Sequence, residues 1–268
     1  MGIATIIGIV VAIIGILGGF VIEGGSVMSL FNIPGFMIVV VGTLGATMTA
    51  FPLSSTLGIP GSAIRALTGG NGAEPREMAE QLVEMADKAR REGLLSLEEE
   101  AQKVEEPFAR KGLMLMIDGT DPEALQSILE IDMDQEAIRL KEQAEIWKTG
   151  SGFSPTLGVL GAVMGLITVL SGLGGDVAAL GHGIAVAFVA TFYGVGLANV
   201  LLLPINMKLT AIAKEERQVR EMILEGIISI QAGDNPRIVK EKLQGFLAPG
   251  NRLPEEDEED DGAEAAAA

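Results

Sequence analysis

The sequence predicts an all-α membrane protein with four transmembrane helices. A large helical cytoplasmic insertion lies between helices 2 and 3, and a cytoplasmic C-terminal helix follows helix 4. Three observations predict it. Four apolar runs, Ile3–Ile22, Pro34–Phe51, Pro155–Leu173 and Ile184–Leu203, approach the roughly 20 helical residues that cross a hydrocarbon core about 30 Å thick. All 19 Lys and Arg lie in two blocks, Arg65–Lys148 and Lys208–Arg252, and the intervening apolar stretches hold none. Finally, 48% of the 268 residues are hydrophobic and 35 are glycine, with a mean hydropathy of +0.39, unlike an ordinary soluble domain.

The first run lacks a basic n-region and a small-x-small cleavage site and is long for a signal peptide, so it reads as a retained span. Eleven basic residues separate spans two and three and eight follow span four, whereas the turns Glu23–Asn32 and Gly174–His182 carry none. The positive-inside rule therefore places both termini and the long loop in the cytoplasm of a multi-pass membrane protein. The expected organisation is a transmembrane hairpin over 1–53, a cytoplasmic helical domain over 54–150 and a second hairpin over 151–206. Cytoplasmic C-terminal helices occupy 207–250, and an acidic disordered tail occupies 251–268.

The long loop carries its own helix signals. Glu74-Pro75 places proline in the first turn of a helix that runs toward Arg91 and stops at Gly93. Ser96-Leu97-Glu98-Glu99 reads as a capping box opening a second helix, ended near Pro107. Asp121-Pro122 opens a third segment through Trp147, with Ile128, Ile131, Ile138 and Ile146 on one apolar face. That helix points into span three, and Trp147-Lys148 suits an interfacial anchor. Lys208–Ile230 continues span four as an amphipathic helix.

The net charge of −17 is unevenly spread, with 20 acidic against 11 basic residues in the loop and 14 against 8 after span four. This balance argues against nucleic acid and for a protein partner of complementary charge. No phosphate loop, metal-ligand cluster, nucleophile–base arrangement or cofactor motif is present, so no catalytic residue is assigned and an enzyme is not expected. The absence of cysteine rules out thiolate ligands and disulfides. His182, the single histidine, reads as an exposed residue of the outer turn.

Between their ends the spans hold no Asp, Glu, Lys, Arg or His. A protein that moves ions across a bilayer normally keeps ionisable groups inside it. This chain therefore either moves no ions or borrows a carboxylate from a partner helix. The polar groups left are mainly hydroxyls, Thr43, Thr47, Thr49, Thr156, Thr168 and Thr191, with Asn199 near the inner end; each can serve a partner or its own backbone. Gly161-x-x-x-Gly165, with Gly158 one turn earlier, permits close helix approach and an oligomer.

Four segments in order resemble one family. They are Glu23-Gly24-Gly25-Ser26 with Ile38–Thr47; Ala89–Glu98; Ser154-Pro155-Thr156-Leu157-Gly158; and Ala187–Gly194 followed by Pro204. Together they resemble the MotA-type flagellar stator proteins, a family that includes the sodium-linked PomA and MotP, from span one to about Gln244. The resemblance implies a stator subunit that forms an ion channel with a single-span, peptidoglycan-binding MotB-like partner, which supplies the membrane aspartate. It also implies a homo-oligomer, a pentamer, around two partner helices, with torque delivered to the rotor protein FliG. By position, Arg90 and Glu98 match the charged pair that engages the rotor, with Arg91 a second basic candidate. Pro155 and Pro204 match the two coupling prolines at the cytoplasmic end of the pore, and Thr191 matches the span-four threonine near the partner's aspartate.

Sodium-type members carry a threonine seven residues after the span-three proline, where this chain has Ala162. Fewer oxygen ligands suit a hard cation poorly, and Thr156 and Thr168 lie elsewhere on the helix, so protons are favoured as the ion. The alternatives are a sodium-driven PomA/MotP-type stator and an ExbB/TolQ-like energiser of outer-membrane processes, the latter disfavoured by four spans. A self-contained transporter is disfavoured by charge-free spans, and hydropathy alone is equally consistent with a membrane scaffold.

Overall fold

Long apolar runs, and prolines at the starts of charged segments, set where this chain coils into helices. The structure, a computed structural model, describes residues 2–70, 72–172 and 177–254, and among them every regular element is helical. The chain divides into two compact units, one of Met1–Gly70 with Ile138–Ala213 and one of Asn71–Ala137 with Lys214–Ala268. Four helices are long and apolar enough to cross a membrane. The unit boundaries differ from the expected domain limits, because 54–70, 138–150 and 207–213 pack with the apolar helices.

In the first unit, α1 (Gly2–Ile22) buries none of its apolar window. The second span starts at α2 (Ile33–Phe36), where the Asn32 Oδ1 accepts the Gly35 amide at 2.7 Å. It continues through a π-helical turn, Met37–Val41, into α3 (Gly42–Ala50). Short helices α4 (Leu53–Leu57) and α5 (Ile59–Thr68) follow Pro52. Ala66 of α5 joins a small apolar cluster with Ala144, Ile205 and Leu209, against which Trp147 packs. The Trp147 indole N–H donates to Ser62 Oγ at 2.9 Å, and the Asn206 amide donates to the Ala144 carbonyl at 2.7 Å.

The second unit is built from α6 (Pro75–Glu92), α7 (Glu98–Lys103), α8 (Pro107–Ile117), α12 (Pro236–Gln244) and parts of two long helices. The long helices are α9 (Pro122–Ser171) and α11 (Leu203–Ala232). Four of these begin with proline, whose missing N–H costs nothing in a first turn. Asp121 Oδ1 accepts from the Glu123 and Ala124 amides and so caps α9. A continuous core of Leu82, Leu97, Leu113, Met116, Leu125, Leu129, Ile223, Ile227 and Leu243, all below 2% exposed, joins these helices. Each such side chain contributes about 2 kcal/mol through removal from water.

Several expectations are corrected here. Ser96 caps nothing: its hydroxyl donates back to the Gly93 carbonyl at 2.7 Å within a 3₁₀ turn, Leu94–Leu97. Pro107 starts α8 rather than merely ending α7, a helix the sequence reading omitted. The buried face of α9 runs through Leu125, Leu129 and Met133, while Ile128, Ile131 and Ile138 are exposed and only Ile146 is buried. The i, i+4 leucine row fits the core, and the isoleucine row lies about a quarter to a half turn away. The backbone of His182 lies inside α10 (Val177–Gly196), not in a turn. Of the expected tail over 251–268, residues 251–254 are described and Leu253 is buried in the core of the second unit, so ordered packing extends past 251; residues 255–268 lie outside the described residues.

Candidate functional site

Spans three and four cross through residues that have almost no side chain. A methyl group on Gly158 would sit 3.0 Å from the Ala190 carbonyl oxygen, 3.1 Å from Gly194 Cα and 3.3 Å from Thr191 Cα. One on Gly194 would sit 2.7 Å from the Ser154 carbonyl oxygen and 3.2 Å from Pro155 Cα. Gly165 packs on the Ala187 backbone, and Gly161 on the Ala190 methyl and Ile38. Gly35 of the second span also approaches the backbone of Ala190, which is wholly buried. Three spans therefore meet at Ala190, and the Gly158/Gly161/Gly165 row is used inside the chain rather than for dimerisation.

Pro155 and Thr191 are thus brought to one backbone-on-backbone crossing. Pro155 does not open a helix: it stands inside α9. Lacking an N–H, it leaves the Ser151 carbonyl without its helical donor. Its neighbour Ser154 is wholly buried and donates to the Gly194 carbonyl at 2.9 Å. Thr191 is half-buried and donates to the Ala187 carbonyl at a long 3.3 Å. Ala162, also half-buried, follows Gly161 and presents only a methyl. Thr156 is exposed and spends its hydroxyl on the Phe153 carbonyl at 2.7 Å, and Thr168 does the same with Met164. Pro204 is half-buried at the second position of α11, directly after a π-helical turn, Leu197–Leu202. Pro204 has no amide N–H to donate back into that turn.

Thr47 donates to the Thr43 carbonyl at 2.7 Å, and Thr49 to that of Ala46. The Thr43 hydroxyl is buried with no hydrogen-bond partner among the described residues. Sequence reasoning did not single out Ser154, Ala190, Gly194 or Tyr193 as functional. The Tyr193 hydroxyl donates to the Leu30 carbonyl and accepts the Asn32 amide at 3.2 Å, tying span four to the loop before span two. All four lie inside the recognised segments Ser154–Gly158 and Ala187–Gly194, which was the available signal.

The second place is the turn that joins α6 to α7. Gly93, at φ +87°, ends α6 and reverses the chain in a conformation that disfavours other residues. Arg90, Arg91 and Glu98 are all exposed there. Arg91 is paired with Asp87 one turn back. Lys88 donates to Glu100 at 2.6 Å, and that hydrogen bond raises the pKa of the amine above its ordinary value. Among the described residues, Arg90 and Glu98 have no hydrogen bond or ion pair to their side chains. The three candidates are therefore not equivalent: two are free and one is engaged.

These features define a class, a polytopic helical membrane protein whose spans hold no carboxylate, amine, guanidinium or imidazole at their crossing. The N-terminal family profile, described as "Motility protein A N-terminal", matches residues 6–93, and that of the "MotA/TolQ/ExbB proton channel family" matches residues 100–222. Motility protein A of Borreliella burgdorferi is 36% identical over 94% of this chain and 96% of its own length. Motility protein A of Bacillus subtilis is 35% identical over 93% and 92%, and Chemotaxis protein PomA of Vibrio alginolyticus 31% identical over 92% and 98%. The solved C. jejuni MotAB structure superposes with a TM-score of 0.90 at 32% identity, covering 95% of this chain and 100% of that one. The flagellar MotAB stator complex of Bacillus subtilis gives 0.87 at 34% identity, covering 93% and 98%. The chain belongs to the MotA family of motility proteins.

Proposed function

We propose that this chain is a flagellar motor stator subunit that builds an ion channel together with a MotB-like partner. The observation that carries this reading is the near-complete overlap with chains of solved MotAB complexes. The match of residues 6–93 to the motility-specific N-terminal profile favours it over an ExbB/TolQ-like energiser. The charge-free spans fit the same reading, because the titrating carboxylate then comes from the partner. The Lys/Arg asymmetry supports an inner-membrane protein with both termini and the second unit in the cytoplasm. A ring of five copies around two partner helices, acting on the rotor protein FliG through Arg90 and Glu98, completes the proposal. Pro155, Pro204 and Thr191 line its coupling path.

The test is expression in a motile bacterium deleted for its own stators. Swimming returns only when chain and partner are supplied together. Ion flux from the chain alone would sink the reading in favour of a self-contained channel. Reversal of charge by Arg90→Glu removes most torque while the assembled complex persists in the membrane, and loss of assembly would refute rotor contact.

Ala162 and the inward-bonded hydroxyls of Thr156 and Thr168 leave few oxygen ligands for sodium, so the ion proposed is the proton. Swimming speed held constant while sodium is varied at fixed pH is the expected result; strong sodium dependence overturns it.

A further inference from the structure

The turn at Gly93 carries one leucine that the fold does not use. In a 3₁₀ helix residues three apart share a face. Leu94 and Leu97 take the inner face: Leu97 is wholly buried in the core of the second unit, and Leu94 packs against that core. Leu95 stands between them and is 75% exposed, more than any other large apolar side chain among the described residues of that unit. A polar residue at this position would leave the core untouched, so folding does not account for the leucine.

The backbone that carries it is held in place. The Gly93 amide donates to the Ala89 carbonyl at 2.8 Å, and the Ser96 amide and hydroxyl both donate to the Gly93 carbonyl, at 3.1 and 2.7 Å. On either side of it in the chain stand Arg90 and Glu98, exposed and unpaired, with Glu99 also exposed. An apolar side chain on a hydrogen-bonded turn, next to free charges of both signs, matches the apolar-centre and polar-rim anatomy of a protein–protein contact. Little ordering entropy remains to be lost when such a turn binds.

We propose that Leu95 is the apolar anchor of the surface through which this chain docks on the rotor protein. Its pocket on that partner is apolar and is bordered by a carboxylate facing Arg90 and a basic group facing Glu98. The proposal rests on the rotor-contact reading of Arg90 and Glu98.

The test uses the full chain with its MotB-like partner in a stator-deleted strain, read as stall torque of tethered cells. Losing the buried leucine weakens docking about tenfold or more, so Leu95→Ser lowers stall torque below roughly half. Leu95→Met, which keeps the apolar volume, retains torque. The thermal midpoint of the purified complex and the ion flux through it stay unchanged in both variants. Full torque in Leu95→Ser, in a strain where Arg90→Glu is crippled, overturns the anchor and leaves the rotor-contact reading standing. Full torque in Leu95→Ser and in Arg90→Glu alike overturns both the anchor and the rotor-contact reading. A lower thermal midpoint in Leu95→Ser assigns the residue to folding and also overturns the anchor.

Discussion

The two units solve the packing problem in opposite ways. In the second, large side chains such as Leu82, Leu113, Leu129 and Ile227 are inside, and charges are outside. In the first, Ile6, Ile14, Val159, Ile167 and Phe188 are exposed, while Gly158, Gly194 and Ala190 fill the crossing. Water drives apolar burial in one unit. In lipid no such drive exists between helices, so contact comes from close approach of backbones. The difference is sharpest at the glycines. Gly158 and Gly194 face backbone atoms, which cannot yield, whereas Gly112 and Gly226 face the tips of Ile227, Leu129 and Leu82, which can rotate.

That contrast is open to attack by mutation. The largest effect is expected for Gly158→Val, which forces a branched side chain against the Ala190 carbonyl and Gly194 Cα. The complex with its partner should not be recovered from membranes by size-exclusion chromatography, and normal recovery would break the backbone-packing account. Next comes Leu129→Ala in the water-driven core, which should destabilise by about 2–5 kcal/mol through lost burial and a residual cavity. Its measure is the thermal midpoint of the solubilised complex. Gly112→Ala should cost about 1–3 kcal/mol, because the Ile227 and Leu129 tips can move aside. A loss as severe as that of Gly158→Val would erase the distinction between the units.

The smallest effect concerns Lys88. Its hydrogen bond from the amine to Glu100 raises the folded pKa, so the stabilisation is fully present below the ordinary lysine value of about 10.4 and fades as pH rises through the folded value. Amide exchange in α6 and α7, measured on the complex and corrected for intrinsic rate, should be flat up to about pH 9 and rise only beyond about 10.4. Glu100→Gln should remove that rise with little change in thermal midpoint. A strong dependence near neutral pH would implicate other groups.

Much of the fold was legible because its signals are local. Glu74-Pro75 and Asp121-Pro122 mark helix starts by proline's own backbone chemistry, and α6 ends where Gly93 permits a positive φ. Glu106-Pro107 carries the same signal: α7 does end shortly before it, and the proline also opens α8. The α9 stripe failed: Leu125/Leu129/Met133 and Ile128/Ile131 are both plausible apolar rows on a helix. Only the shape of α8 and α11 selects the first. Of the site, the order of segments pointed to Pro155, Thr191, Arg90 and Glu98, but not to Ser154 or Ala190, whose importance is positional.

The sequence by itself determined the four spans, the charge-free membrane segments and the proline-started helices. Run length, charge placement and φ restriction act residue by residue, whatever the partner helix. The tertiary structure alone decided that Gly158 meets Gly194, that Arg91 is engaged while Arg90 is free, and that Leu95 points outward. Those outcomes depend on which surfaces meet at distances of a few ångströms, and a one-dimensional pattern carries no such distances.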